Sequence, residues 1–504
     1  MIDKIFTRIV KYSYAVVTAA IVIIVAFGQL FCTYTLEREF MMPNCILMVI
    51  LAAVLISQVY MQKNRSDYKT ENEKKPNYNW TAIIVAAVLF VYQIFLIYNI
   101  FFFTGGDPAN IYKAAMQIAD GSRDFDTYYF SMFRNNLLLT SFYGLIFKIW
   151  PSLTPILVLS AAENCLAAYL VFSCLKHHVS EEMAFDGFLI GVALFGLSPW
   201  IVGYYSDEVA FLIPILIYHI YLQLTEEKSR KNVILWIVMT LITIIGYNIK
   251  PTAAIPLLAI IIARFIKAPG IRQRLTAVLI AACLAVGMKG AGAMLDALYE
   301  AEGFELDDEQ ELGMVYFMMV GFNYDTDGFF SYDDNDLART VDTKEERTEL
   351  MLDTIGDRIS SNGPIGLIKH LIKKILLVFN DGSFAWGVEY GFYANILEET
   401  TPFSGLLRNI FYSDGDYFPY FLQFEQMVWL LVLMLLPGAF MGDCNEKKLT
   451  LMVSFLGLFV YQMLFEARSR YLFVMLPLII MLAMIGADRM KGFIAQRLGG
   501  TASR

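Results

Sequence analysis

Apolar blocks too long for the core of a soluble domain run through this chain, and they settle most of what it can fold into. A helix rises ~1.5 Å per residue and a bilayer's hydrocarbon core is ~30 Å thick, so roughly 18 mostly apolar residues suffice to span it. Several blocks reach that length. Of 504 residues, 57% are hydrophobic and 17% charged, against nearer a half and a quarter in soluble domains. The fold expected is an all-α polytopic membrane protein with about 12 transmembrane helices, surface helices and a long extracytoplasmic loop. The spans fall near 12–34, 41–61, 80–103, 154–175, 186–204, 208–225, 232–248, 252–266, 275–298, 421–441, 449–465 and 471–488.

Short loops rich in Lys and Arg stay cytoplasmic. Such loops hold Lys63, Arg65, Lys69, Lys74 and Lys75; Lys176; Lys228, Arg230 and Lys231; Lys267, Arg272 and Arg274; and Lys447 and Lys448. The tail carries Arg489, Lys491 and Arg497. All fall on one side if both termini are cytoplasmic. The first apolar run is too long for a signal peptide's core and is expected to remain as a span. Keeping the sides consistent makes the short apolar segments 135–150 and 365–379 helices on the outer membrane surface. Four regions result: 1–79, two N-terminal spans and a basic loop; 80–298, a transmembrane module with the first outer loop; 299–420, an acidic extracytoplasmic cap; and 421–504, the last spans and a basic tail.

Several function classes drop out. The six cysteines avoid the long polar loops, so no disulfide framework is indicated. There is no CxxC or HExxH pattern and only four histidines, which argues against zinc. A formal charge of −9 argues against nucleic acid. The partner established by composition is the lipid bilayer.

The polar residues with chemical potential gather on the outer side. GGDP places Asp107 just past the third span, as a general base or as a helix N-cap ahead of Pro108. GYYSDE presents Tyr205, Asp207 and Glu208, either capping a helix or acting on a substrate. Asp107 and Asp207 facing one another could share a divalent Mg or Mn ion. IKPT puts Lys250 at the outer end of a span, suited to phosphate or to snorkelling. EARSRY holds Glu466, Arg468 and Arg470. Arginines on the outer side run against the usual bias and suit a phosphate or pyrophosphate, or pair with Glu466 or lipid. Tyr112, Arg134, Asn136, Asp381, Trp386 and Glu389 are further candidates for substrate contact. Asp325 and Asp327 in DTDG lack EF-hand spacing, and Lys289 lies inside a span.

At these residues the chain resembles the GT-C superfamily of membrane glycosyltransferases, including protein mannosyltransferases, aminoarabinose transferases and the bacterial oligosaccharyltransferase. GGDP matches the acidic residue of the family's first outer loop. GYYSDE is similar to its second acidic loop. IKPT and EARSRY look like segments of related bacterial members. The likeness covers residues 80–298 in architecture. Many members carry two adjacent acids in the first loop, whereas here Pro108 follows Asp107. The resemblance implies transfer of a sugar from a polyprenyl-phosphate donor to a hydroxyl of a glycan, lipid or protein, with inversion. Asp107, Asp207 and Glu208 would be catalytic, and Lys250, Arg468 and Arg470 would hold the donor phosphate. A transporter or flippase of lipid-linked saccharides, and a non-catalytic assembly subunit, are the other readings.

Overall fold

The computed structural model describes residues 2–66, 76–225, 229–268, 270–389 and 391–499. Lys69, Lys74, Lys75 and Lys228 lie outside the described residues. Among those described, nine helices are long and apolar enough to cross a membrane: Asp3–Leu30, Asn44–Met61, Tyr78–Ile100, Thr154–Leu175, Arg230–Ile249, Ile271–Ala301, Phe418–Phe440, Glu446–Leu464 and Ser469–Arg497. The protein is a helical membrane protein with several candidate spans.

The other three expected spans are interrupted. Helix Glu181–Gly191 runs into a π turn, Val192–Gly196, and then a tight turn, Pro199–Val202, capped by Ser198. Residues 208–225 divide into helices Ser206–Val209 and Leu212–Leu222. The 252–266 segment begins as a tight turn at Pro251–Ala254, because proline has no N–H to continue a helix, and becomes helical at Ile255–Lys267. Hydropathy registers the apolar residues of these segments but not the breaks.

Burial ranks the helices. In the apolar stretch of Ser469–Arg497, 83% of positions are buried, against 11% for Ile271–Ala301, so the C-terminal helix is central and the other is peripheral. Basic residues gather at one end of the bundle. There Lys267 pairs with Asp3, Arg264 with Glu446, and Lys11 donates to the Gly442 carbonyl. Asp107 lies at the opposite end. Beside it, helix Leu137–Phe147 packs on helix Gly106–Ala119; at 11 residues it is too short to span.

The expected long loop at 299–420 is largely helical. Helices Gly313–Gly321, Tyr332–Ala338 and Lys344–Phe379 enclose their own core of Leu312, Tyr316, Met319, Val320, Met351 and Ile355. The segment 365–379 departs furthest from expectation, since its C-terminal half is not a surface helix. A kink at Gly363 and Pro364 redirects it into the bundle, where the Phe379 ring meets Phe455 and Phe459 midway along another helix. The chain then turns back at Asn380–Ala385, making a re-entrant hairpin. Its tip is held by polar partners. Asp381 accepts from Arg38 Nε (3.2 Å) and from the N–H groups of Ser383 and Ala385. Asn380 receives hydrogen bonds from Asn44 and Gln426 and donates to the Tyr34 hydroxyl.

Lysine is tolerated in this buried helix because its charge is shared among acceptors. Lys374 Nζ donates to the carbonyls of Gly321 (2.8 Å), Met463 (3.0 Å) and Phe465 (2.7 Å). It thereby fastens the cap to the end of Glu446–Leu464. Replacing it with an apolar side chain strands three buried acceptors, each worth roughly 1–3 kcal/mol when unpaired. Lys374→Met is expected to cost about 3 kcal/mol or more, read as a lowered thermal midpoint in detergent. Lys369→Met, at an exposed position, should stay within about 0.5 kcal/mol; equal midpoints for the two variants would refute this role for Lys374.

Candidate functional site

Asp107 sits where two glycines let the chain turn off a long helix. Gly106 has φ +64°, open to glycine at no steric cost. A Cβ on Gly105 would lie 3.1 Å from the Gly391 carbonyl, so the two loops approach through bare backbone. The N-cap of helix Gly106–Ala119 is Gly105, and Asp107 falls in the first turn without a capping bond. Its carboxylate instead faces across the site. Tyr129 donates its hydroxyl hydrogen to Oδ1 at 2.7 Å, and Tyr205 to Oδ2 at 2.9 Å. Asn136 is buried behind them and donates to the Tyr129 hydroxyl at 2.7 Å. Burial, then the Asp107 charge, pushes both tyrosines well above their ordinary range, so they remain protonated donors.

Tyr205 links this acid to a cationic cluster. Arg470 lies over its ring, 5.3 Å from the centroid. Asp207, two residues on and fully buried, faces Lys250 Nζ at 2.7 Å and Arg470 Nε at 3.3 Å. Lys250 therefore turns inward rather than snorkelling, and also lies 3.9 Å from the centroid of the Tyr471 ring. Arg468 bonds Glu466 and Glu389, both at 2.7 Å. Glu389 Oε2 also stands 3.8 Å from Arg470. Three cations thus meet three carboxylates, Asp207, Glu389 and Glu466. Glu208 is fixed differently, accepting from the Tyr205 N–H at 3.1 Å.

The expected residues divide into two groups. Asp107, Asn136, Tyr205, Asp207, Glu208, Lys250, Glu389, Arg468 and Arg470 form one connected network. The others are engaged elsewhere. Trp386 is 1% exposed, enclosed by Phe102, Trp200 and Phe392, and donates to the Phe411 carbonyl; no face is free for a sugar. Asp381 is spent on the hairpin tip. Arg134 pairs with Asp296 and Asp308 toward the cap. Tyr112 packs between Phe103 and Phe147. Asp327 joins Thr35 to Lys373, and Lys289 is exposed on its helix. Tyr129 and Tyr471 escaped sequence reading, because nothing in their local pattern marks them. As for a divalent ion, both Asp107 oxygens receive tyrosine hydroxyls and both Asp207 oxygens face cations. Among the described residues no group of three or more His, Cys, Asp or Glu converges. This donor set does not fit a metal, and no step below depends on one.

Burial alone would raise the Glu389 carboxyl, but Arg468 and then Arg470 outweigh it and hold it below the ordinary value. A depressed carboxyl contributes stability above its unfolded value, ~4.3, and loses it as pH falls through the folded one. Glu389→Gln is expected to lower the thermal midpoint at pH 7. The gap to wild type should close as the pH is taken below about 4; a gap unchanged at low pH would refute the pairing.

A family model described as conserved hypothetical integral membrane protein matches residues 1–491, so the chain belongs to that family. No curated protein matches the chain.

Proposed function

We propose that this integral membrane protein is a glycosyltransferase that moves a sugar from a polyprenyl-phosphate donor to a hydroxyl of a cell-envelope glycan, lipid or protein. The observation that carries the reading is the bridge made by Tyr205: it joins a partly exposed carboxylate, Asp107, to a cluster of Lys250, Arg468 and Arg470 at one end of a membrane bundle. A base for a hydroxyl and a cradle for lipid phosphate are the two parts such a transfer needs. By the positive-inside rule the basic residues at the other end support a cytoplasmic reading of that end, with both termini, and hence an outer-face reading of the site. The three interrupted segments would complete twelve crossings, their breaks lining the site.

In this reaction the acceptor oxygen bonds to the anomeric carbon from the face opposite the phosphate, giving inversion. Its proton passes to Asp107, which keeps free lone pairs beside the tyrosine bonds. The bond from the anomeric carbon to the phosphate oxygen breaks with its electron pair, and polyprenyl phosphate leaves against Lys250, Arg468 and Arg470. Asp207 and Glu208 orient the cations and the Tyr205 backbone.

A specific observation favours a second reading, a flippase of lipid-linked saccharides. Glu425 lies within helix Phe418–Leu435, is 1% exposed, and neither carboxylate oxygen has a hydrogen-bond partner among the described residues. Buried acids within spans often serve transport.

The test is release of polyprenyl phosphate from a panel of polyprenyl-phosphate sugars by purified protein with membrane-extract acceptors. Asp107→Asn should slow release by roughly 10²–10⁴-fold, the usual worth of a general base. Arg470→Ala and Lys250→Ala should weaken donor binding and turnover together. Release at the wild-type rate by Asp107→Asn would remove the base. No release from any donor, with saccharide translocation blocked by Glu425→Gln, would favour the flippase.

A further inference from the structure

The position between the two arginines is already filled by an anion that belongs to the chain. Glu389 Oε2 touches Arg468 at 2.7 Å and approaches Arg470 to 3.8 Å, with the side chain only 13% exposed. Its other oxygen is buried and has no hydrogen-bond partner among the described residues.

The three carboxylates of the cluster are not equivalent. Asp207 is fully buried on a helix between Lys250 and Arg470. Glu466 is fixed from both sides: its N–H donates to the Phe317 carbonyl, and its oxygens take Arg468 and the Tyr471 hydroxyl. Among the described residues, Glu389 is held at its carboxylate by the arginines alone. It follows Gly387, whose φ of +75° is a backbone conformation that favours glycine.

The Glu389 segment also touches the Asp107 loop. The Gly105 N–H donates to the Gly391 carbonyl at 2.8 Å. The two-residue strands Phe102–Phe103 and Asn395–Ile396 pair antiparallel just beyond. A displacement of Glu389 therefore pulls on backbone bonded to the turn that carries Asp107.

We infer that Glu389 is a built-in competitor for phosphate, its carboxylate holding the place on Arg468 and Arg470 that lipid phosphate takes, a diester in the donor and a monoester once polyprenyl phosphate is released. The inference rests on the proposed use of this cluster as a phosphate site. The diester donor matches the carboxylate's single charge and adds ester and sugar oxygens as acceptors, and the monoester product carries more charge, so either can displace Glu389 while leaving Asp207 and Glu466 in place. Empty of ligand, the cluster is neutral and closed. Loaded, it frees Glu389 and shifts the loop beside Asp107, so the base is set only when donor is present.

The test is equilibrium binding of a polyprenyl phosphate, and separately of phosphatidic acid, to the purified full-length protein in detergent. Glu389→Gln and the shortened Glu389→Asp are each expected to bind polyprenyl phosphate about tenfold more tightly, as loss of a competing ion pair allows. Glu466→Gln should show no gain, and Arg470→Ala should lose binding. The Asp variant keeps the charge and guards against misfolding of the Gln variant. Tightening for polyprenyl phosphate alone supports the competitor at a site for the polyprenyl phosphate portion that donor and product share; equal tightening for phosphatidic acid supports it at a site open to any lipid phosphate. Wild-type affinity in both Glu389 variants, with binding lost in Arg470→Ala, overturns the competitor but leaves the phosphate site standing. No binding by any of the proteins overturns both.

Discussion

Asp207 carries a carboxylate where solvent does not reach, and the site end of the molecule is arranged around that fact. Removing an unpaired carboxylate from water costs several kcal/mol. Lys250 and Arg470 meet that cost from segments more than two hundred residues apart in sequence. Each sits where a helix gives way to a tight turn, at Pro251–Ala254 and Ser469–Met475. The tight turns at these helix ends are therefore what aim the cations inward. Straight helices would carry the same residues past the cluster or out toward headgroups.

The cluster's charge balance bears on how it can bind. Three cations with three carboxylates make a neutral assembly that is stable without ligand. Affinity for an anion is then a difference between two sets of ion pairs rather than the full attraction of three positive charges. Such exchange favours selectivity over strength, because only a ligand that satisfies the arginines better than the resident carboxylates gains.

How much of this was legible varied with the range of the interaction. The arginines expected on the outer side stand out because that placement runs against the positive-inside bias, and both lie in the cluster. Asp107 was conspicuous, but its local reading as a helix cap fails. Its partners are Tyr129, 22 residues on, and Tyr205, 98 residues on, and no local pattern encodes such pairings. Trp386 and Asp381 looked like sugar-binding residues because tryptophan beside carboxylates is common there. They serve a hairpin whose helical arm, 365–379, is expected from sequence on the membrane surface. Composition cannot show that Lys374 finds three carbonyls, which is what allows it inside. The apolar character of the bundle was plain throughout, whereas helix breaks arise from a few prolines, serines and a π turn that hydropathy averages away.

The re-entrant hairpin also constrains the order in which the protein is made. Its tip is satisfied by Arg38, Asn44 and Gln426, the first two translated long before it and the last long after. While the chain is emerging, the segment holding Lys369, Lys373 and Lys374 has no carbonyl cradle, since two of the acceptors, Met463 and Phe465, are not yet synthesised. A charged helix in that condition is poorly accepted by lipid. The contacts that hold the hairpin are thus complete only once the C-terminal helices have been made. A nascent chain lacking its last two helices holds the first acidic loop without Arg468 and Arg470, and so without the cluster that completes the site.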